Sequence, residues 1–222
     1  MDGIMETFEY VGILMPSLLA GTWETVKLFV VTLLLSLPLG LPFALGGNSR
    51  FRILRAISKT YIWIFRGTPL LLQLFFFYYF LPIWFGEAFR FDVFTTAAFT
   101  FILNYAAYFA EIFRGGLLSI DKGQYEAAKV LGMNRWQTTT KIILPQMFRI
   151  ALPAVANESV TLVKDTALLY AVAVPELLHF AQTAVNRDFT IVPFFIAGII
   201  YLLITLVLTL LFKALERKFK FE

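Results

Sequence analysis

Five long apolar runs dominate this chain of 222 residues, at roughly Thr25–Leu45, Thr60–Phe85, Val93–Phe113, Ile150–Leu178 and Thr190–Phe212. A hydrocarbon core about 30 Å thick takes about 20 apolar residues to cross as a helix. Only helices and closed barrels can satisfy every backbone N–H and C=O where no water reaches. Runs of this length predict an all-α integral membrane protein, multi-pass, with about five transmembrane helices in a single domain, 1–222. The 59% hydrophobic content exceeds the roughly 45–50% of soluble domains. Phe8–Ala20 is apolar on one side but short, and Pro16 and Gly21 interrupt it. Residues 1–24 are therefore expected to form an interfacial segment leading into the first span. Asp2, Glu6 and Glu9 precede any Lys or Arg, which argues against a cleaved signal peptide.

Charge predicts the orientation. Of 19 Lys and Arg, fourteen fall in three segments: Arg50, Arg52, Arg55 and Lys59; Arg114, Lys122, Lys129, Arg135, Lys141 and Arg149; Lys213, Arg217, Lys218 and Lys220. Alternating five spans puts all three on one side, which the positive-inside rule makes cytoplasmic, so the chain is expected to run N-out/C-in. The sequence pI near 9.3 follows from this bias and gives no support to nucleic acid as a partner. The absence of cysteine removes disulfides, thiolate metal sites and a cysteine nucleophile. The single histidine, His179, has no second ligand nearby in sequence. No metal site and no catalytic residue is expected, and an intramembrane enzyme lacks a nucleophile–base pair.

The longest segment between spans, 114–149, has the composition of a folded loop. Gly115 and Gly116 allow a turn as the chain leaves the membrane. A helix is expected over Gln124–Leu131, ended by a left-handed turn at Gly132. A second helix should pass through Trp136 towards Ile143 and break at Pro145. Two short helices at an angle make a knob that fits a groove on a partner, with Glu126 offering charge and Ala127 and Ala128 permitting close approach. The alternative is an amphipathic hairpin lying on membrane lipid.

Glu126, Ala127, Ala128, Gly132, Ile142, Leu144 and Pro145 make the pattern EAA-x3-G-x9-I-x-L-P. It resembles the cytoplasmic loop by which ABC importer permeases grip their ATPase subunits. RGTPLLLQ at Arg66–Gln73, AAYFAEIFRGGL at Ala106–Leu117, GQYEAAKVLGM at Gly123–Met133 and KDTAL at Lys164–Leu168 look like the polar amino-acid branch of that family. The resemblance implies a transmembrane permease subunit of an ATP-binding-cassette importer in the cytoplasmic membrane of a prokaryote, working by alternating access. It implies ATPase coupling through Glu126, Ala127, Ala128, Gly132, Met133 and Asn134. The implied partners are an ATPase dimer, a second permease copy or paralogue, and an extracytoplasmic amino-acid-binding protein. No G-x-x-x-x-G-K-[ST] occurs, so ATP and Mg belong to the partner ATPase and no cofactor is expected in this chain.

Charges inside spans mark a pathway or a site. Taking Asn157 as zero, Asn157, Glu158, Thr161, Lys164 and Asp165 fall at roughly 0°, 100°, 40°, −20° and 80° around a helix. Thr100, Asn104, Tyr108 and Glu111 form a second stripe. Arg66-Gly67-Thr68-Pro69 reads either as a broken helix beside a cavity or as a packing kink with Arg66 snorkelling to the interface. A zwitterionic amino acid needs both its charges satisfied. Arg66 and Thr68 suit its carboxylate, Asp165 or Glu158 its ammonium or a cationic side chain, and Asn104 and Tyr108 its orientation. In the resembling family the KDT segment lies near the translocation path. Other readings are structural neutralisation of these charges, an ion-gradient-driven secondary transporter, and a non-substrate-binding partner permease in a heterodimer.

Overall fold

The computed structural model describes residues 2–219, and side chains from residue 9 onward. Asp2, Glu6 and Lys220 thus lie outside the described side chains. Helix α1 spans Asp2–Gly47, α2 Arg52–Gly67, α3 Leu70–Phe85 and α4 Val93–Leu118. Then follow α5, Lys122–Val130, α6, Arg135–Val172, α7, Leu177–Asp188, and α8, Val192–Phe219. The described residues are all-helical. Three helices can cross a membrane unbroken, Glu9–Gly47, α4 and α8, and two bent pairs, α2 with α3 and α6 with α7, bring the number to five if each pair counts as one span.

The first helix corrects one expectation. Neither Pro16 nor Gly21 interrupts it, and α1 continues through both. At 1.5 Å per residue it is about 69 Å long, over twice an apolar core. Its early turns are held by protein: Leu14 and Leu18 are buried with Leu177, Ala181 and Ala184 of α7. Gly21 is needed because a Cβ there would lie 2.9 Å from the Glu176 carbonyl oxygen. Tyr10 donates to Asp188 at 2.6 Å, tying the same two helices further out.

Helix α4 is the central post, with Phe101, Tyr105, Phe109 and Phe113 fully buried. Its alanines Ala106, Ala107 and Ala110 let α1 approach closely, as small residues do between membrane helices. At Gly40 the contact has no slack, since a Cβ would stand 2.9 Å from Ala106 O and 3.0 Å from Ala110 N. Both are backbone atoms of a packed helix and cannot step aside. Gly40→Ala is expected to cost about 1–3 kcal/mol, read as a lowered Tm of the purified protein in detergent. An unchanged Tm would show that the two helices can separate freely.

Two further expectations fail for physical reasons. Gly115 and Gly116 do not turn the chain, because α4 runs to Leu118. Gly116 instead lets α6 close in, its missing Cβ leaving room 3.1 Å from Met147. Nor does Pro145 break the following helix. A π turn over Thr139–Ile143 widens it, with the Leu144 N–H reaching back to Thr139 O. The extra residue in that turn accommodates a proline that cannot donate and whose ring crowds the preceding turn. The same device precedes Pro82, where a π turn spans Phe76–Phe80.

Candidate functional site

The chain between α2 and α3 is broken, and the two helices meet at 103°. Pro69 pushes the residue before it out of the helical region. Thr68 accordingly sits extended at φ −120, ψ 144. The break frees carbonyl oxygens that need donors away from water. Gln73 supplies them from the first turns of α3. Its Nε2 donates to Phe65 O (2.9 Å), Thr68 O (3.1 Å) and Thr68 Oγ1 (2.8 Å). The Thr68 hydroxyl donates to Ile64 O at 2.8 Å. From α4, Asn104 Nδ2 donates to Phe65 O (3.0 Å) and Gln73 Oε1 (2.9 Å). The corner is a closed hydrogen-bonded unit, with Gln73 and Asn104 both buried.

Beside this corner lies a cavity of about 550 Å³. Arg66, Thr68, Asn104, Tyr108, Glu158 and Asp165 all line it, with Gly67, Pro69, Tyr105 and Thr161. Every membrane residue proposed from sequence for ligand contact therefore reaches one space. The Arg66 guanidinium lies 5.3 Å from the centre of the Tyr108 ring, a cation–π contact that orients it. Tyr105 donates to Asp165 at 2.7 Å. Glu158 is half-buried and has no hydrogen-bond partner among the described residues. The space thus offers a guanidinium donor fork on one element and two carboxylates on another, which is what a zwitterion requires.

The stripes on α4 and α6 are only partly inside. Glu158, Thr161 and Asp165 face the cavity, whereas Asn157 and Lys164 are exposed and line no part of it. Asn104 has both amide hydrogens engaged by the broken corner, which leaves its carbonyl oxygen for a ligand. The kink is a true break, and Arg66 points to the cavity as well as to an ion pair with Glu111 at 3.9 Å. Three residues escaped the sequence reading. Gln73 lay inside the RGTPLLLQ run without a role, and Tyr105 was hidden among apolar neighbours. Glu176 follows Pro175, a cap signal before the helix LLHF, yet sat inside the presumed fourth span. It is fully buried and caps α7, accepting from Leu178 N (2.8 Å), His179 N (2.7 Å) and Tyr201 OH (3.0 Å).

The loop between α4 and α6 is a compact two-helix unit. Gly132 has φ +71. Around it Gly132 N donates to Lys129 O and Met133 N to Ala128 O, both at 3.0 Å, the paired bonds of a Schellman end. Asn134 and Gln137 form a reciprocal capping box that starts α6. Glu126 and Ala127 are exposed, Met133 is half-buried and Asn134 exposed. Ala128 is fully buried within the chain, so it packs internally and offers no surface to a partner. The most exposed large apolar residues of the loop are instead Val130 at 88%, Leu131 at 75% and Trp136 at 76%.

Residues 36–221 match the family model described as binding-protein-dependent transport system inner membrane component. The chain is 39% identical over 206 residues to an arginine transport system permease protein of Bacillus subtilis, covering 92% of this chain and 93% of the relative. It is 36% identical over 206 residues to a glutamine transport system permease protein of Escherichia coli K12, covering 92% and 94%. An L-cystine transport system permease protein of Bacillus subtilis is 38% identical, covering 91% and 86%. Among solved structures, a chain of an amino acid ABC transporter crystallised with histidines superposes with a TM-score of 0.85 at 29% identity, covering 96% and 97%. A chain of an inward-facing methionine ABC transporter shares the fold, with a TM-score of 0.81 at 19% identity.

Proposed function

We propose, because this chain belongs to the binding-protein-dependent transport system inner membrane components, the permease subunits of bacterial ABC importers, that it carries a polar α-amino acid through the cavity beside the α2–α3 break. The observation that carries this reading is the meeting of Arg66 with Glu158 and Asp165 around one space. Arg66, with Thr68, takes the α-carboxylate through a forked contact. Asp165, aligned by Tyr105, and Glu158, without a hydrogen-bond partner among the described residues, take the ammonium and a polar or cationic side chain. Tyr108 holds the guanidinium in place, and the Asn104 carbonyl oxygen completes the wall. Two carboxylates against one guanidinium leave one negative charge in excess, which favours a cationic side chain over an acidic one. The relatives named for arginine, glutamine and cystine transport agree with a polar amino acid.

The orientation follows from the same charges. Cavities near one end of the molecule are lined by Lys59 and Arg114, and by Arg149, Lys213 and Arg217, and that end is the cytoplasmic one under the positive-inside rule. Residues 114–149 then face the ATPase. Val130, Leu131 and Trp136 give the docking contact its apolar core, while Glu126, Ala127, Met133 and Asn134 form its rim and Gly132 sets its bend. The chain acts as one domain, paired with a second permease and an ATPase dimer, and receives substrate from an external binding protein. ATP binding stays on the partner. A cavity carrying both signs of charge argues that this subunit itself holds substrate, against the reading of a silent partner in a mixed pair.

The test is uptake by the reconstituted complex with its binding protein, using L-arginine, L-glutamine, L-cystine and L-leucine. Uptake of one or more polar amino acids and none of L-leucine is expected. Asp165→Asn is expected to lower kcat/KM by about 10–100-fold, the loss of one charged contact to a bound ligand. Wild-type kinetics in this variant would remove Asp165 from the site, and failure to take up any amino acid would end the amino-acid assignment.

A further inference from the structure

We infer that Glu111 is a built-in rival for the substrate's carboxylate, contending with it for Arg66, and that this rivalry governs release on the basic side of the cavity. The inference rests on the reading of Arg66 as the carboxylate's partner. Arg66 and Gly67 line two cavities at once: the one of about 550 Å³ already described and a neighbour of about 490 Å³. Lys59, Trp63, Glu111 and Arg114 bound the second. Arg66 therefore stands in the wall between them, able to serve either side.

The two arginines hold Glu111 unequally. Arg114 makes an aligned fork, with Nε donating to Oε2 at 2.8 Å and Nη2 donating to Oε1. Arg66 Nη1 stands 3.9 Å from Oε1, beyond hydrogen-bond length. The Arg66 side chain is 39% exposed and that of Glu111 29%, so solvent partly screens their attraction and a competing carboxylate can replace it. A carboxylate arriving from the first cavity can offer Arg66 the fork that Glu111 gives only to Arg114. When it departs, Glu111 is already in place to receive the guanidinium.

The signs of charge give this exchange a purpose. The first cavity sets Glu158 and Asp165 against Arg66, and the second sets Lys59, Arg66 and Arg114 against Glu111 alone. A substrate leaving by the second cavity passes from a net negative to a net positive wall. Three cations without an acid would hold its carboxylate and slow exit. Glu111 weakens that hold by the competition that linkage requires, since a group that binds the free arginine raises the apparent dissociation constant of any rival.

Equilibrium dialysis of the purified permease–ATPase complex with radiolabelled L-arginine and L-glutamine tests this, with the α-carboxamides of both as probes lacking the carboxylate. Glu111→Gln is expected to tighten binding of the amino acids about threefold to fivefold, the scale of a part-exposed ion pair, and to lower both KM and kcat for uptake. Arg114→Gln frees Glu111 to close on Arg66 and is expected to weaken binding by a similar factor. Glu111→Asp keeps the charge and should stay within about twofold of wild type. Carboxamide binding should not change in any variant. Shifts of the same sign in Glu111→Gln and Arg114→Gln, equal shifts for the carboxamides, or no shift overturn the inference. Wild-type protein binding neither amino acid would instead overturn the amino-acid reading beneath it.

Discussion

Gln73→Leu is expected to reduce uptake by the reconstituted complex by about 100-fold, although Gln73 belongs to the frame of the cavity and not to its list of ligand contacts. Leucine has similar volume, so packing is preserved and the effect is one of hydrogen bonding. The substitution removes the donor to Thr68 O, one of the two donors to Phe65 O, and the acceptor for Asn104. Each buried group left unpaired costs about 1–3 kcal/mol, and the corner can recover that energy only by rearranging. Rearrangement moves Arg66 and Thr68, the first residues on either side of Gly67. A displacement near 1 Å at a positioning element can cost about 100-fold in rate. Asn104→Leu should show a smaller loss, because Gln73 keeps its bonds to Thr68. Uptake by Gln73→Leu within threefold of wild type would show that the corner does not depend on this side chain.

The second large effect lies at the junction of α6 and α7. Glu176→Leu is expected to destabilise the protein by about 3–5 kcal/mol, since two backbone N–H groups and the Tyr201 hydroxyl lose their shared acceptor in a fully buried place. The neighbouring Leu177 N–H is served separately by Thr25 at 3.3 Å and cannot compensate. At about 2–4 °C per kcal/mol for a chain of this size, Tm should fall by about 10 °C. Glu176→Gln retains an acceptor oxygen and should lose less than half as much. Equal losses for the two variants would assign the role to charge and not to accepting hydrogen bonds.

How far the sequence could be read depended on the range of the interactions. Apolar runs pointed to the helices long and apolar enough to cross a membrane, three unbroken and up to five with the bent pairs, because that test is one of length and composition. Gly132 was legible because a left-handed residue after a helix is a local requirement, and φ +71 meets it. Arg66, Glu158 and Asp165 stood out because charge in an apolar run needs a reason. The failures concern what a chain can compensate. Pro16 and Pro145 looked like breaks, yet α1 runs straight on and a π turn absorbs the second. Ala128 looked like a contact for a partner, and it is buried by its own chain. Gln73 and Glu176 are defined by partners across the fold, Phe65 and Asn104 for the first and Tyr201 for the second, and no local pattern reports such partners.

The π turn before Pro145 has a mechanical meaning. Because the helix does not part there, the stretch from Arg135 to Asp165 is one continuous helix about 46 Å along its path, with Trp136 near one end and an acidic wall of the cavity at the other. A hinge at Pro145 would have let each end settle independently. A continuous helix couples them: where it tilts as one body, 10° about one end carries the other about 8 Å, by the arithmetic of its length. In the docking proposed for Val130, Leu131 and Trp136, a partner that moves Trp136 would thereby also move Thr161 and Asp165, with gearing set by the distance of each from the pivot.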